Sequence, residues 1–297
     1  MLLPAPISAV IPAHNAEDFI QDAIESIHAQ TLPVTELIVV ADDCSDETQK
    51  IAERLGARVL RANGRNVAAA RNIGVRAATQ KWVAFLDADD LWEANKIESQ
   101  WKASQTFPDA AIISCDLSIL VDGKISRRSN RELRERLENV SHSAVTSDEI
   151  TYFPEVNGAV LRWFTIAPPT ALISREVFDT AGFFDETFLY STEVELFARA
   201  LKDHSLAYIG QPLVCQRFRK DSHSSNLEGR WASYLSIVDR MLRYPDRYPP
   251  RAGLEHREFL KQAFLSYERE LAERSESAGA PKNSKQTPRS SSEGKNE

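Results

Sequence analysis

A mostly parallel α/β sheet with helices on both faces is the fold class that this sequence predicts, and three observations predict it. Short apolar runs alternate with segments of helical period through residues 1–115. The run Glu36 to Ala41 is rich in branched residues, the composition of a strand buried on both faces. Aspartates gather where two of these runs end, and in such sheets ligands bind beyond the carboxyl ends of the strands.

The elements follow in order. Ile7 to Ile11 is a first strand closed by Pro12. Asn15, with Asp18 three residues on, predicts a capped helix carrying Ile20, Ala23, Ile24 and Ile27 at helical spacing. Glu36 to Ala41 is the second strand. Ser45 is read as the cap of a helix bearing Ile51, Ala52 and Leu55, with Gly56 as its C-terminal glycine. Ala57 to Leu60 is a third strand, and Asn66 to Ala78 an alanine-rich helix. Lys81 to Leu86 is a fourth strand that ends in Asp87-Ala88-Asp89-Asp90. Glu93 to Phe107 is a helix with Ile97, Trp101 and Ser104 inward, and Ala110 to Cys115 a fifth strand. Arg127 to Glu138 is crowded with charge and reads as a solvated insertion.

The pattern then resumes with a strand at Thr170 to Ile173, helices at Arg175 to Ala181 and Thr192 to His204, and a strand at Ala207 to Val214. Trp231 to Tyr244 carries Tyr234, Leu235, Val238, Met241 and Leu242 in a helical stripe, which Leu254 to Leu271 repeats. Both helices are expected to pack on the domain. The predicted organisation is a domain over 1–245, made of halves 1–115 and 116–245, an amphipathic helix at 246–274, and a tail at 275–297. The tail lacks large apolar residues and is expected to be disordered.

Composition bounds the function. The chain has 297 residues, 42% apolar and 27% charged, ample for a buried core. Its net charge of −7 offers no basic field for a nucleic-acid backbone. The apolar runs are too short to span a bilayer, and the N-terminus has no basic region of the signal-peptide kind. Three widely spaced cysteines make neither a disulfide framework nor a zinc set, so a reducing, cytoplasmic setting is expected. Clustered carboxylates repel one another unless a cation neutralises them. For Asp87 to Asp90 the physical resolution is a hard divalent metal held by one or two carboxylates and substrate phosphates. Asp42 and Asp43, taken alone, read as turn aspartates.

Four segments together carry a resemblance. Ser8 to Asn15, Glu36 to Thr48, Asn66 to Gly74 with Ala70-Arg71-Asn72, and Ala84 to Asp90 resemble, in order and spacing, the opening of family 2 glycosyltransferases of the GT-A fold. The resemblance implies a Rossmann-like GT-A sheet and sugar transfer from a nucleotide-sugar, with a UDP-sugar as donor, to an acceptor hydroxyl with inversion. The acceptor would be a saccharide or lipid-linked group, reached by peripheral contact at the inner face of the membrane. It further implies that Pro12, Ala13 and Asn15 lie along the base and ribose, that Asp42 accepts from the base, and that Arg71 lies near the diphosphate. Asp87, with Ala88 beside it, would belong to the nucleotide-sugar site, and Asp89 would ligate Mn²⁺ or Mg²⁺. His223 would touch the metal, with Arg219 next in line, while Trp163 and the Thr165 to Pro169 segment would line the acceptor pocket or pack in the core.

For the base, the family's usual Glu-Asp pair matches Thr192-Glu193. Glu193 therefore takes the aspartate's place, one methylene longer, and Glu195 is read as a helix-surface acid. Two other readings remain. A sugar nucleotidyltransferase would need a glycine-rich basic loop, which Pro12 to Asn15 lacks. A catalytically silent nucleotide-binding protein stays open because of the departure at Thr192-Glu193.

Overall fold

The computed structural model of the chain describes residues 3–121, 124–127, 144–147, 149–156, 166–219, 226–259 and 261. Residues 1–257 form one compact unit and 258–297 another. In the second, residues 258, 259 and 261 are helical, and Lys261 pairs with Glu258 at 3.7 Å.

The first unit opens with β1 (Ala5–Ala13), α1 (Ile20–His28), β2 (Val34–Asp42), α2 (Thr48–Arg54), β3 (Arg58–Ala62), α3 (Val67–Ala77) and β4 (Trp82–Phe85). A short β5 (Leu91–Trp92) leads into α4 (Lys96–Thr106), then β6 (Ala110–Val121), β7 (Lys124–Arg127), β8 (Val145–Ser147) and β9 (Ile150–Phe153). A single turn at Pro168–Thr170 precedes β10 (Leu172–Ser174), α5 (Arg175–Thr180), α6 (Thr192–Ala200), β11 (Ser205–Arg217) and α7 (Leu227–Arg243).

Among the described residues these strands make one eleven-stranded sheet in the order β3-β2-β1-β4-β10-β6-β11-β9-β8, with β5 on β11 and β7 on β6. The expected parallel core is present: β3, β2, β1 and β4 are all parallel, as are β6 and β11. β10 enters antiparallel between β4 and β6, and β9 runs antiparallel to β11. Both faces of the core strands are covered, which is why their sequences are continuously apolar. Along β4, Val83 and Phe85 pack on one side, and Trp82 and Ala84 on the other.

Several elements depart from their predicted limits. β6 runs on past Cys115 to Val121, β11 spans more than Ala207 to Val214, and α6 stops at Ala200. In α7 the core face is Ile237, Val238 and Met241, whereas Leu235 and Leu242 of the predicted stripe are exposed. The fifth strand's flanking helix likewise carries its Trp101 only partly buried. The predicted 246–274 helix starts later than expected: residues 246–251 are a 3₁₀ turn and loop and 252–257 are helical, while residues 260 and 262–274, the tail and most of the charged insertion lie outside the described residues. Gly74 sets the depth at which α3 sits on β1: a Cβ there would stand 2.3 Å from Val10 Cγ1. Only a residue without a side chain admits that approach.

Candidate active site

The ends of β1, β2 and β4 come together. Pro12 and Ala13 pair with Val40 and Ala41, and Leu86 donates its N–H to Val10 O at 3.0 Å. Beyond β1 the chain turns through Asn15, whose φ of 43° lies in the left-handed region that asparagine tolerates. Asn15 Oδ1 accepts the Ser45 N–H at 2.8 Å, and His14 Nδ1–H donates to Asp42 O at 2.7 Å. This corrects two expected caps. α1 begins at Ile20 and α2 at Thr48, and neither has a side-chain cap; Asn15 and Ser45 instead tie the two loops to each other.

Asp42 is 4% exposed, and its carboxylate faces the loop before α3. Oδ1 accepts the Gly64 N–H at 2.8 Å and Oδ2 the Asn66 N–H at 2.9 Å. Asn66 then caps α3, its Oδ1 accepting from Ala68 N and Ala69 N, so the helix expected from Asn66 begins at Val67. Asp42→Asn puts an amide donor where one backbone N–H now finds an acceptor. It is expected to lower stability by about 1–3 kcal/mol, the usual cost of a buried unpaired donor. Thermal melting checks this, and an unchanged melt would show that water replaces the lost acceptor.

α3 carries Arg71 into the site. Its Nη2 donates to Asp87 Oδ1 at 2.8 Å, and its Cζ lies 5.6 Å from the Phe184 ring centre. The guanidinium is buried, and its Nε has no hydrogen-bond partner among the described residues. Asn72, one residue on, is buried too. Its Nδ2 donates to Phe184 O at 2.9 Å and Glu186 Oε1 at 2.8 Å, and its Oδ1 accepts the Phe184 N–H at 3.0 Å. The segment leading to α6 is thus pinned to α3.

The acidic motif divides its work. Asp90 is buried and accepts the Arg217 N–H at 3.0 Å; burial, then Asp87 and Asp89, push its carboxyl well above the usual range. Asp89 is raised as well, by burial first and then by Asp87, with Arg219 opposing. Arg219 Nε lies 3.6 Å from Asp89 Oδ2, and Arg217 Nη2 donates to Asp22 Oδ2 at 2.6 Å. Both guanidiniums lie over the Phe19 ring, at 5.5 Å for Arg217 and 4.6 Å for Arg219. Asp89 and Asp87 suit a hard cation held through one or two half-open carboxylates. Among the described residues no three His, Cys, Asp or Glu side chains converge as a closed metal site. Phosphate oxygens and water would complete the shell, as is normal for Mg²⁺.

Glu193 opens α6 behind Ser191, which sits at φ 55°. Its half-buried carboxyl is raised above its ordinary value of 4.5, by burial first; Asp87 adds to the rise, and Arg71 and Arg230 oppose it. The structure thus brings Glu193 into the field of the Arg71–Asp87 pair. Glu195 is a correction. It is 1% exposed, not a surface acid, because α6 turns it inward, where Arg199 Nη2 meets it at 2.8 Å and Tyr248 Oη donates to it at 3.0 Å.

One buried polar set escaped the sequence reading. Lys96 is fully buried, with its Nζ donating to Gln100 Oε1 at 2.7 Å and lying 4.2 Å from the Trp92 ring centre. Gln100 in turn donates to Ile113 O and Thr170 O. Burial lowers Lys96 to about 8. The signal was the i, i+4 spacing of Lys96 and Gln100 on the face of α4 that also carries the buried Ile97 and Ala103. His223, Trp163 and Thr165 lie outside the described residues.

A parallel α/β core with carboxylates and an arginine gathered at its strand ends matches the GT-A architecture that the sequence leads one to expect. The sequence profile described as Glycosyl transferase family 2 matches residues 8–181. The chain belongs to that family. The Escherichia coli UDP-Glc:alpha-D-GlcNAc-diphosphoundecaprenol beta-1,3-glucosyltransferase WfgD is 29% identical over 247 residues, 80% of this chain and 88% of WfgD. A putative teichuronic acid biosynthesis glycosyltransferase, TuaG of Bacillus subtilis, is 38% identical over 102 residues, 32% of this chain and 40% of its own. Among solved structures, S. aureus TarS 1–349 with UDP-GlcNAc superposes with a TM-score of 0.65 at 18% identity, covering 87% of this chain and 72% of that one. Among the described residues no helix is long and apolar enough to cross a membrane.

Proposed function

We propose that the chain transfers a sugar from a UDP-sugar to a hydroxyl of a lipid-linked acceptor in one displacement, with inversion at the anomeric carbon. The observation that carries this reading is the convergence of Asp42, the Arg71–Asp87 pair, Asp89 and Glu193 around the ends of β1, β2 and β4. The activity of WfgD, on UDP-Glc and a diphosphoundecaprenol-linked sugar, supports the choice of donor and acceptor. Such an acceptor would bring the chain, as a peripheral protein, to the cytoplasmic face of a membrane.

In this reading Pro12, Ala13 and Asn15 line the nucleotide, with Asp42 fixing the loop against which the base lies. Arg71 holds Asp87 and faces the diphosphate. Asp89, with Asp87 beside it, holds Mn²⁺ or Mg²⁺, which supplies positive charge against the departing nucleoside diphosphate. Glu193 takes the proton of the acceptor hydroxyl as that oxygen bonds to the anomeric carbon. The bond from that carbon to the diphosphate breaks, and its electrons leave with the phosphate oxygen. A carboxyl raised by burial is better matched to this proton transfer near neutral pH than an ordinary one.

Calorimetry with UDP, GDP and dTDP, each with and without Mn²⁺, tests the reading. UDP is expected to bind tightest, and Asp89→Asn to remove the Mn²⁺-dependent part of the affinity. No binding of any nucleotide would overturn it.

A further inference from the structure

We propose that Lys96, acting through Gln100, is a positioning residue that holds the Pro168–Thr170 turn at the acceptor side of the site. The inference rests on the reading above, in which acceptor and donor meet at the carboxyl ends of the strands. The turn stands at that end. Leu172 of β10 faces Ala84 of β4 and Ile113 of β6 in antiparallel register, so the turn before it comes just past Leu86, the residue that precedes Asp87. The Thr170 hydroxyl donates to Ala167 O at 2.7 Å and meets Ser114 Oγ at 3.0 Å. From residue 166 to 170 only Ala167 is partly open, so the turn is a packed wall with one residue at its surface.

Gln100 ties this wall to α4. Its Nε2 donates to Thr170 O at 2.8 Å and to Ile113 O at 3.1 Å. Both partners are acceptors, so the amide must turn its nitrogen to them and its oxygen away. Lys96 can only donate; it meets that oxygen at 2.7 Å and so sets the sense of the amide. Its ammonium also lies against the ring of Trp92, two residues after Asp90. One buried lysine thus stands between the exit of the acidic motif and the turn. As a packing residue it is a poor choice. It is fully buried, no carboxylate pairs with it among the described residues, and burial favours its neutral form. An apolar side chain of similar length would be less unfavourable there. What the charge secures is the orientation of the amide that holds the turn.

The test uses the full-length chain as wild type, Lys96→Met and Gln100→Glu. Lys96→Met keeps the length and removes the donor. Gln100→Glu keeps a partner for Lys96 but has no N–H for the turn. Each is measured for melting temperature, for UDP affinity by calorimetry, and for hydrogen exchange of the Thr170 and Ala171 amides, which donate to Ala167 O and Pro168 O. Transfer is assayed with the substrates of WfgD, UDP-Glc and GlcNAc-diphosphoundecaprenol, as probes. Lys96→Met is expected to melt at the wild-type temperature or higher. In both variants the two amides should exchange about tenfold faster and KM for the acceptor should rise about tenfold, the worth of one hydrogen bond. KM for UDP-Glc and the UDP affinity should not change. A lower melting temperature for Lys96→Met overturns the proposal, as does unaltered exchange at the two amides. A KM that rises equally for both substrates, or a Gln100→Glu variant that behaves as wild type, overturns it too. A wild type that binds UDP but ignores this acceptor sinks the acceptor reading instead, and melting and exchange then decide whether Lys96 holds the turn.

Discussion

Glu193→Gln is expected to lower turnover by roughly 10²–10⁴-fold, the range for lost general-base assistance, while UDP affinity stays unchanged. The amide keeps the shape but cannot take a proton. Stability separates this role from helix capping. Burial raises the Glu193 carboxyl above 4.5, so the folded chain favours its protonated form. That preference contributes stability below the unfolded-state value, and the contribution is lost as pH rises through the folded value. At neutral pH the variant is thus freed of an unfavourable ionisation, and it should melt at the same temperature or higher. A lost cap would lower it. In the wild type, the acid limb of kcat/KM should lie above the ordinary glutamate range. Near-normal turnover in the variant would remove Glu193 from the chemistry.

Glu195→Ala, two residues on, is expected to act on stability instead. Its carboxylate meets Arg199 at a site where the two side chains are 1% and 10% exposed, and it also accepts from Tyr248. Arg199 further donates to the carbonyls of Ala181 and Phe183, which lead into the segment held by Asn72. Truncation leaves a buried guanidinium without its anion, at a cost of about 3–5 kcal/mol. Chemical denaturation gives the number. A loss under about 1 kcal/mol, the worth of an exposed pair, would show that water reaches the network.

These neighbours show how far the residues alone could be read. Glu193 follows from the resemblance of Thr192-Glu193 to the family's Glu-Asp pair, but the inward turn of Glu195 does not. Its burial depends on Tyr248, which reaches it from beyond α7. The parallel strands were legible because β1, β2 and β4 are apolar on both faces. The expected strand stops at Cys115, because past that point β6 buries the polar Asp116 and Ser118 and leaves Leu117 and Ile119 only partly covered. β10 has three residues, too few for any period to declare its antiparallel direction. In the site, the acidic strand ends and Arg71 could be named in advance. That Asp42 spends both oxygens on Gly64 and Asn66, or that Arg219 stands at Asp89, follows from loop paths that no local pattern encodes.

The place of β10 bears on how the chain is made. It lies between β4 and β6, yet β6 leaves the ribosome well before it. Until residues 172–174 are synthesised, the nascent chain holds two hydrophobic strand edges with no neighbour to bridge them, which are templates for mispairing. A fragment ending at 115 would keep those edges for good. It would be a client for chaperones and a source of inclusion bodies rather than a small nucleotide-binding protein.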